Sequence, residues 1–173
     1  MKLLHIGDVV GAVGSRFLQE HLPAIKRTHK IDMTVVNGEN SAQGNGITKH
    51  SMEQIFSAGA DVITTGNHCF KRREAMAIYE NPVVLRPAYT LGGSGGGIVN
   101  NQEGCPGHGV CTIDFGPCQV AVLNLSGTAY LDPLDNPFTI AEQLLEEIDT
   151  PNILVDFHAE ATAEKKAMGY FLA

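Results

Sequence analysis

The sequence predicts an α/β fold built on parallel strands, because short apolar runs alternate with amphipathic helical patterns through its first half. Three of these runs, within 3–8, 32–40 and 61–68, are rich in aliphatic and β-branched residues and end in polar side chains. They recur about every 30 residues, which is the length of one strand–helix–strand unit. Strands connected in this way lie parallel and are joined by right-handed crossovers.

Two helices are predicted between these strands, over 15–29 and 50–58. Gly59 follows the second pattern, and a glycine there is suited to end a helix in the left-handed conformation. In the first pattern, apolar residues recur with helical spacing, which predicts one buried face. The residues of that face are Phe17, Leu18, Leu22 and Ile25.

The second half of the chain predicts a hairpin followed by more helix and strand. Residues 92–104 are rich in glycine, which is typical of a loop. Strands are predicted over 109–115 and 119–125, joined by a tight turn at Gly116 and Pro117. The remaining predicted elements are a helix over 136–148, a strand over 152–158 and a helix over 163–172.

The composition indicates one folded domain and argues against several classes of protein. The chain has 173 residues, of which 43% are hydrophobic, and this is enough for a core. Its 12 Lys and Arg against 19 Asp and Glu give a net charge of -7, which argues against a stable nucleic-acid partner. Four cysteines without a C-x-x-C pair are too few for a disulfide framework. No signal peptide or membrane span is predicted, so we expect a cytoplasmic protein without a membrane partner.

Polar residues at the predicted strand ends indicate a functional site. Asp8 and Glu39 are 31 positions apart, and Glu39 and Asn67 are 28 apart, so one such residue occurs in each strand–helix unit. The carboxyl ends of parallel strands meet at the edge where open α/β sheets bind ligands. We therefore expect Asp8, Glu39 and Asn67 to lie in one crevice.

These side chains, together with two others, favour a site for two metal ions. Carboxylate and amide oxygens with an imidazole suit Mn, Fe or Zn better than metals that select thiolates. Two ions about 3.5–4 Å apart hold a phosphoryl group and activate a water molecule. Glu39 belongs to the middle segment and is the natural bridge between them. The candidate ligands are Asp8, Glu39, Asn40, Asn67 and His158.

Each candidate also has a simpler structural explanation. Asp8 could cap the following helix, and Asn67 could form an Asx-turn. Glu39 and Asn40 could form a turn. The recurrence of these residues once per unit favours the metal site. His68 directly follows a candidate ligand, so we expect it either to face the substrate as a general acid or charge stabiliser, or to be a surface histidine.

Two other ligand sites fit the sequence less well. Gly7, Gly11 and Gly14 follow a strand and open a helix, but they lack the G-x-G-x-x-G spacing of a dinucleotide site. Asp8 within that turn would also repel a pyrophosphate. The second alternative is a zinc site, although the spacing of its four candidate ligands fits no common zinc module. Those candidates are Cys105, His108, Cys111 and Cys118.

Four motifs occur in order along the chain: Gly7–Gly11, Asn37–Asn40, Gly66–His68 and Asp156–Thr162. Together they resemble the motifs of the YmdB-type metallophosphoesterases, in the calcineurin-like phosphoesterase superfamily. The resemblance covers essentially the whole chain. It implies a four-layer α/β/β/α sandwich and a dinuclear centre of iron or manganese. It also implies hydrolysis of small phosphodiesters, including 2′,3′-cyclic nucleotides.

The resemblance implies a role for each candidate residue. His68 resembles the catalytic histidine beside the scissile phosphate, with a metal-bound hydroxide as the nucleophile. The implied ligands are Asp8 for one metal, Asn67 and His158 for the other, Glu39 as the bridging carboxylate and Asn40 as an additional ligand.

The sequence departs from the family pattern at its C-terminal end. The family continues to a Gly-x-His-x-His segment that gives one histidine to each metal, whereas this sequence ends at Ala173. The expectation is a single domain, 1–173, that lacks this segment and the final strands. An unpaired sheet edge and an apolar tail would then favour a homo-oligomer. The alternative function is a catalytically impaired fragment, or a regulatory or assembly module that retains the fold.

Overall fold

The computed structural model describes residues 1–72, 74–87, 108–131 and 135–173. Two β-sheets pack face to face, and helices cover the outer face of each sheet. The layers therefore follow the order α/β/β/α, which confirms the sandwich that the family resemblance implied.

Four strands form the first sheet: β1 Leu3–Ile6, β2 Met33–Asn37, β3 Val62–Thr64 and β4 Val84–Leu85. All neighbouring strands are parallel, and their order in the sheet is the order of the chain. Aliphatic and β-branched side chains favour these strands because they pack well on a pleated, buried surface. The carboxyl ends of β1, β2 and β3 are therefore neighbours, as predicted.

Three helices cover the outer face of this sheet: α1 Gly11–His29, α2 Lys49–Ala58 and α3 Ala75–Ile78. The Thr48 hydroxyl caps the start of α2 by accepting a backbone hydrogen bond. Gly59 ends α2 with φ at 109°, which confirms the predicted glycine cap. The short helix α3 was not predicted from the sequence.

Helix α1 differs from its prediction in two respects. It begins at Gly11, four residues earlier than predicted, because tertiary contacts outweigh the low helix propensity of glycine. Leu18 and Leu22 lie one turn apart and are buried, as predicted. The prediction was wrong for Phe17, which is 62% exposed, and for Ile25, which is 39% exposed. Both flank the buried stripe, so the apolar face is narrower than the sequence suggested.

Three strands form the second sheet: β5 Val110–Asp114, β6 Gln119–Ser126 and β7 Ile153–His158. β5 and β6 are antiparallel and joined by a short turn, which confirms the predicted hairpin. β6 and β7 run parallel, and Ser126 at the end of β6 lies opposite His158 at the end of β7.

Two helices, α4 Pro137–Glu146 and α5 Thr162–Phe171, cover the outer face of the second sheet. Among the helices of the described residues, none combines the length and the apolar character needed to cross a membrane. The predicted glycine-rich loop at 92–104 lies outside the described residues, and so does Cys105.

The space between the two sheets changes from apolar to polar along the strands. Residues two apart on a strand share a face, so alternate side chains point towards the other sheet. On β6, Val120 and Val122 belong to the core between the sheets, and the buried Asn124 follows on the same face. On β7, Leu154 packs against that core and Asp156 follows two positions later. Polar side chains of both sheets therefore meet at the carboxyl ends of these strands.

Candidate active site

A buried carboxylate forms the centre of the candidate site. Glu39 lies in the turn after β2, and only 1% of it is exposed. Its Oε1 atom lies 3.0 Å from Nδ1 of His68 and accepts a hydrogen bond of 2.8 Å from the His68 backbone N–H. Its Oε2 atom lies 3.1 Å from Nδ1 of His158 at the end of β7. Two imidazoles and one backbone N–H therefore offset the cost of removing this carboxylate from water.

The turn that carries Glu39 is fixed by backbone and amide contacts. The Glu39 backbone N–H donates to Oδ1 of Asn37 at 3.1 Å, which is the contact of an Asx-turn. The Gly38 backbone N–H donates to the carbonyl of Thr64 on β3 at 2.9 Å. A Cβ atom at Gly38 would lie 2.9 Å from Cδ1 of Ile55, so a larger residue would require the Ile55 side chain to shift. The Asn-Gly-Glu sequence thus forms a tight turn at the end of β2, and this turn packs against β3 on one side and α2 on the other.

Gly66 allows the Glu39 carboxylate and the His158 imidazole to approach the backbone after β3. A Cβ atom at this position would overlap Oε2 of Glu39 and would lie 2.5 Å from Nδ1 of His158. Cβ atoms essentially never make contacts this short, so a larger residue would displace at least one of these groups. The turn that presents His68 therefore requires a glycine at its start.

A second group of predicted residues lies in a more open position. Asp8 follows β1 and is exposed, and its Oδ2 atom accepts a hydrogen bond of 2.8 Å from Nδ2 of Asn40. The carbonyl of Asn40 accepts a hydrogen bond of 2.8 Å from the backbone N–H of Gly11, at the start of α1. The turns after β1 and β2 are thereby joined by two hydrogen bonds.

Asn67 is the predicted ligand with the fewest contacts. It is half-buried in the turn after β3, directly before His68. Among the hydrogen bonds and ion pairs of the described residues, none involves its side chain. Its role as a ligand stays a prediction.

An open cleft of about 280 Å³ lies beside these residues. Its walls include Asp8, Glu39 and His158, so a single cleft reaches both groups. The sequence predicted a crevice at the ends of the first three strands, whereas the walls of this cleft come from the ends of β1, β2 and β7, and Asn67 and His68 are not among them. The other ionisable residues in its walls are His5, Asp156, Glu160 and Lys165.

Asp156 and His5 were not predicted as site residues. The Oδ2 atom of Asp156 accepts hydrogen bonds from the Thr64 hydroxyl and, at 3.4 Å, from Nδ2 of Asn37. It also lies 3.5 Å from Nε2 of His5. Burial raises the pKa of Asp156, but the hydrogen bonds from His5 and Thr64 outweigh it, so that the pKa lies below its ordinary value. The alternation of a strand could have revealed Asp156, since it stands two residues before His158 and shares its face.

The contact between Asp156 and His5 also changes the pKa of His5. Its hydrogen bond to Asp156 raises the pKa of His5, and this effect outweighs the opposing effect of burial. The pair therefore ties the first strand of one sheet to the last strand of the other.

The donor atoms at the site fit metal ions of the predicted kind. Oδ1 of Asn40 and Nε2 of His158 are buried without a hydrogen-bond partner. Most buried polar atoms are paired, and a bound ion would satisfy such unpaired ones. Within the part of the chain that the structure describes, no three His, Cys, Asp or Glu side chains are grouped closely enough to hold an ion. Asparagine oxygens would therefore have to complete the ligand set.

The described residues give no support to the two alternative ligand sites. Burial raises the pKa of the Cys111 thiol to about 11, which opposes the thiolate form that zinc requires. The Sγ atom of Cys118 lies 3.6 Å from Sδ of Met1, so its neighbour is a thioether. For a dinucleotide, the backbone N–H of Gly11 is already bonded to the carbonyl of Asn40 and is not free to bind a phosphate.

Comparisons with known proteins identify the family of the chain. A family model described as YmdB-like protein matches residues 4–173. Over 174 residues the chain is 40% identical to the 2′,3′-cyclic-nucleotide 2′-phosphodiesterase of Bacillus subtilis (strain 168). That alignment covers 99% of this chain and 62% of the relative.

Two crystal structures share the fold. A hypothetical protein from Thermus thermophilus is 35% identical with a TM-score of 0.88, and the match covers 99% of this chain and 63% of that one. A novel phosphatase from Mycoplasma pneumoniae is 29% identical with a TM-score of 0.87, and the match covers 99% of this chain and 60% of that one. The chain thus spans about three fifths of the length of these relatives. The match over nearly the whole sequence confirms the resemblance seen in its motifs, and the chain belongs to the YmdB-like protein family.

Proposed function

We propose that the chain carries the catalytic site of a metal-dependent phosphodiesterase that hydrolyses small phosphodiesters such as 2′,3′-cyclic nucleotides. The observation that carries this proposal is the buried Glu39, whose two oxygens contact His68 and His158 beside an open cleft. The name of the relative from B. subtilis, a 2′,3′-cyclic-nucleotide 2′-phosphodiesterase, supports the same class of substrate.

The charge of the cleft supports a role for cations. Asp8, Glu39, Asp156 and Glu160 line it, and Lys165 is the lysine found in its described walls. A phosphodiester is an anion, so four carboxylates would repel it unless positive charge is bound between them. Two ions, iron or manganese with zinc as the alternative, would supply that charge and would lower the pKa of a bound water molecule.

The proposed ligands have complementary properties. The unpaired Oδ1 of Asn40 and Nε2 of His158 are free to accept a metal ion. The buried Glu39 holds a negative charge at the centre of the cleft and is the proposed bridge. Asp8 is exposed, and Asn67 is half-buried without a competing contact, so both can turn towards an ion.

His68 is the proposed catalytic residue. Its backbone N–H is bonded to Glu39, which holds the residue, and Nδ1 of its ring lies 3.0 Å from the same carboxylate oxygen. The side chain keeps 23% of its surface exposed, which allows contact with a substrate. From this position an imidazole can donate a proton or a hydrogen bond to a phosphate oxygen or to the leaving group.

A non-catalytic regulatory or assembly module is the second candidate. It is favoured by the lack, in the described residues, of three His, Cys, Asp or Glu side chains grouped for metal binding. Such a module would retain the sandwich and its turns but would bind no metal and turn over no substrate.

The first test measures metal content by elemental mass spectrometry together with hydrolysis of bis-p-nitrophenyl phosphate and 2′,3′-cyclic AMP with added Mn²⁺. The proposal predicts bound metal and turnover. His68→Ala should lower turnover by about 10²–10⁴-fold while metal content is retained. His50→Ala, at an exposed position on α2, is the matched control and should change neither. A chain that binds no metal and hydrolyses neither substrate would support the module instead.

A further inference from the structure

The turn that presents His68 is held by hydrogen bonds from both sides. Within the turn, the Cys69 backbone N–H donates to the carbonyl of Gly66 at 3.1 Å. Towards the cleft, the His68 backbone N–H is bonded to Glu39. Buried polar groups of other elements contact the same turn from the protein interior.

Tyr79 supplies one of these interior contacts. It stands at the end of α3 and is completely buried. Its hydroxyl oxygen lies 3.1 Å from Oγ1 of Thr65 and 3.1 Å from the carbonyl of Cys69, so it spans both ends of the turn. Burial raises the pKa of Tyr79 well above its ordinary value, and the hydroxyl therefore remains a neutral donor. The ring packs edge-on against Phe70 at 5.3 Å, which fixes its orientation.

Thr65 and Asn124 extend this network to the second sheet. The Thr65 hydroxyl donates to the carbonyl of Leu85 at 2.9 Å. The side-chain amide of Asn124, on β6, donates to the carbonyl of Thr65 at 2.8 Å and to that of Leu85 at 3.0 Å. Asn124 is completely buried, so these bonds form without competition from water.

We propose that Tyr79 is a positioning residue for His68, acting from beneath the turn through Thr65 and Cys69. The inference rests on the proposed function, in which His68 contacts the substrate. Tyr79 is completely buried and contacts the turn at Thr65 and Cys69, so it acts on His68 through the backbone of the turn. A buried hydrogen-bonded network favours one turn geometry, and a displacement of about 1 Å at a reacting group costs on the order of 10²-fold in rate.

The alternative is that Tyr79 contributes stability alone. Removing its hydroxyl would then lower the midpoint of unfolding but leave the geometry of the turn and the turnover per folded molecule unchanged. A readout specific to the turn is needed, because loss of any buried hydrogen bond lowers stability.

The test uses Tyr79→Phe, which removes the hydroxyl and keeps the ring. The first measurement is hydrogen exchange of the His68 backbone N–H, relative to that of Asp61, which is bonded to the carbonyl of Thr34 at the opposite end of β3 from the site. We expect the ratio of the two exchange rates, that of His68 divided by that of the reference amide, to rise by at least about tenfold, since the turn would open locally. The second measurement is turnover of bis-p-nitrophenyl phosphate, for which we expect kcat to fall about tenfold with KM within about twofold.

Thr150→Val is the matched control. Its hydroxyl donates to the carbonyl of Gln119 at 2.8 Å, at the opposite end of the strand from the site. It should lower stability to a similar extent without changing the exchange ratio or kcat. Thr65→Val removes a second hydroxyl of the network and nearly preserves the shape of the side chain. If Tyr79→Phe does not fold, this variant tests the positioning role instead.

The outcomes separate this inference from the proposed function. A raised exchange ratio in Tyr79→Phe or Thr65→Val, but not in Thr150→Val, supports the positioning role even if the chain turns over no substrate. An unchanged ratio in both network variants would overturn it, whatever the activity of the unsubstituted chain.

Discussion

The two sides of the candidate site differ in how they are built. Glu39 is 1% exposed and contacts two imidazoles and a backbone N–H that come from both sheets. Asp8 is exposed and has one side-chain hydrogen bond, from Asn40 in a neighbouring turn of the same sheet. Packing of the two sheets therefore sets the Glu39 side, whereas two surface turns set the Asp8 side. We expect substitutions on the Glu39 side to disturb fold and chemistry together, and substitutions at Asp8 to disturb chemistry with little loss of stability.

The largest effect is expected from Gly66→Ala. The new methyl group would overlap Oε2 of Glu39 and press on the ring of His158, so at least one of these two side chains would have to move. Urea unfolding should show a loss of about 1–3 kcal/mol in the free energy of unfolding, and turnover should fall by on the order of 10²-fold.

Gly169→Ala is the control, because a Cβ there meets nothing within 4 Å. In helix α5 it should raise stability by about 0.5–1 kcal/mol. Equal effects of the two substitutions would refute the close packing at Gly66.

A direct comparison of the two sides is Glu39→Gln against Asp8→Asn. Glu39→Gln removes a charge that accepts one backbone hydrogen bond and contacts two imidazoles, so it should cost about 1.5–3 kcal/mol in urea unfolding without metal. Asp8→Asn should stay within about 0.5 kcal/mol, because the side chain is exposed. Both should lower metal content if the proposed ligand set is correct. A large loss of stability in Asp8→Asn would remove the distinction between the sides.

The smallest effect is expected at the contact between His5 and Asp156, which ties the edges of the two sheets. Because the pKa of His5 is raised, its contribution is complete below its unfolded pKa of about 6.5 and is lost as the pH rises through the folded value. Because the pKa of Asp156 is lowered, the contribution also disappears as acid protonates that carboxylate. The stability difference between wild type and His5→Gln should therefore be larger at pH 5.5 than at pH 9. His5 is 36% exposed, so the difference should stay below about 1 kcal/mol. A difference that grows with pH would contradict the pairing.

Much of the fold could be predicted from the sequence because its signals are local. The spacing of the strand–helix units predicted the parallel sheet, and the chain order of β1, β2 and β3 placed Asp8 and Glu39 at one edge. The hairpin of β5 and β6 followed from a turn signal between two apolar runs. Helix α1 was less well predicted, because Phe17 was included in the buried face although, at about 100° per residue, it lies to one side of Leu18.

The contacts within the site could not be predicted in the same way because they join distant segments. His5 lies within β1, and only the arrival of β7 makes it a neighbour of Asp156. Gly66 could be placed in a turn, but its need to be a glycine depends on where His158 lies. Tyr79 and Asn124 have no motif at all, since buried polar partners are defined by packing and not by spacing.

The contact between Asn37 and Asp156 joins residues 119 positions apart, and this separation has a consequence for biosynthesis. At about 5–20 residues per second, a ribosome needs about 6–24 s to extend the chain from one residue to the other. Through that interval the nascent chain carries Glu39 without His158, and for most of it Thr64 without the carboxylate that its hydroxyl binds. The candidate site is thus completed only when β7 has been made, although most of its residues are among the first to be synthesised.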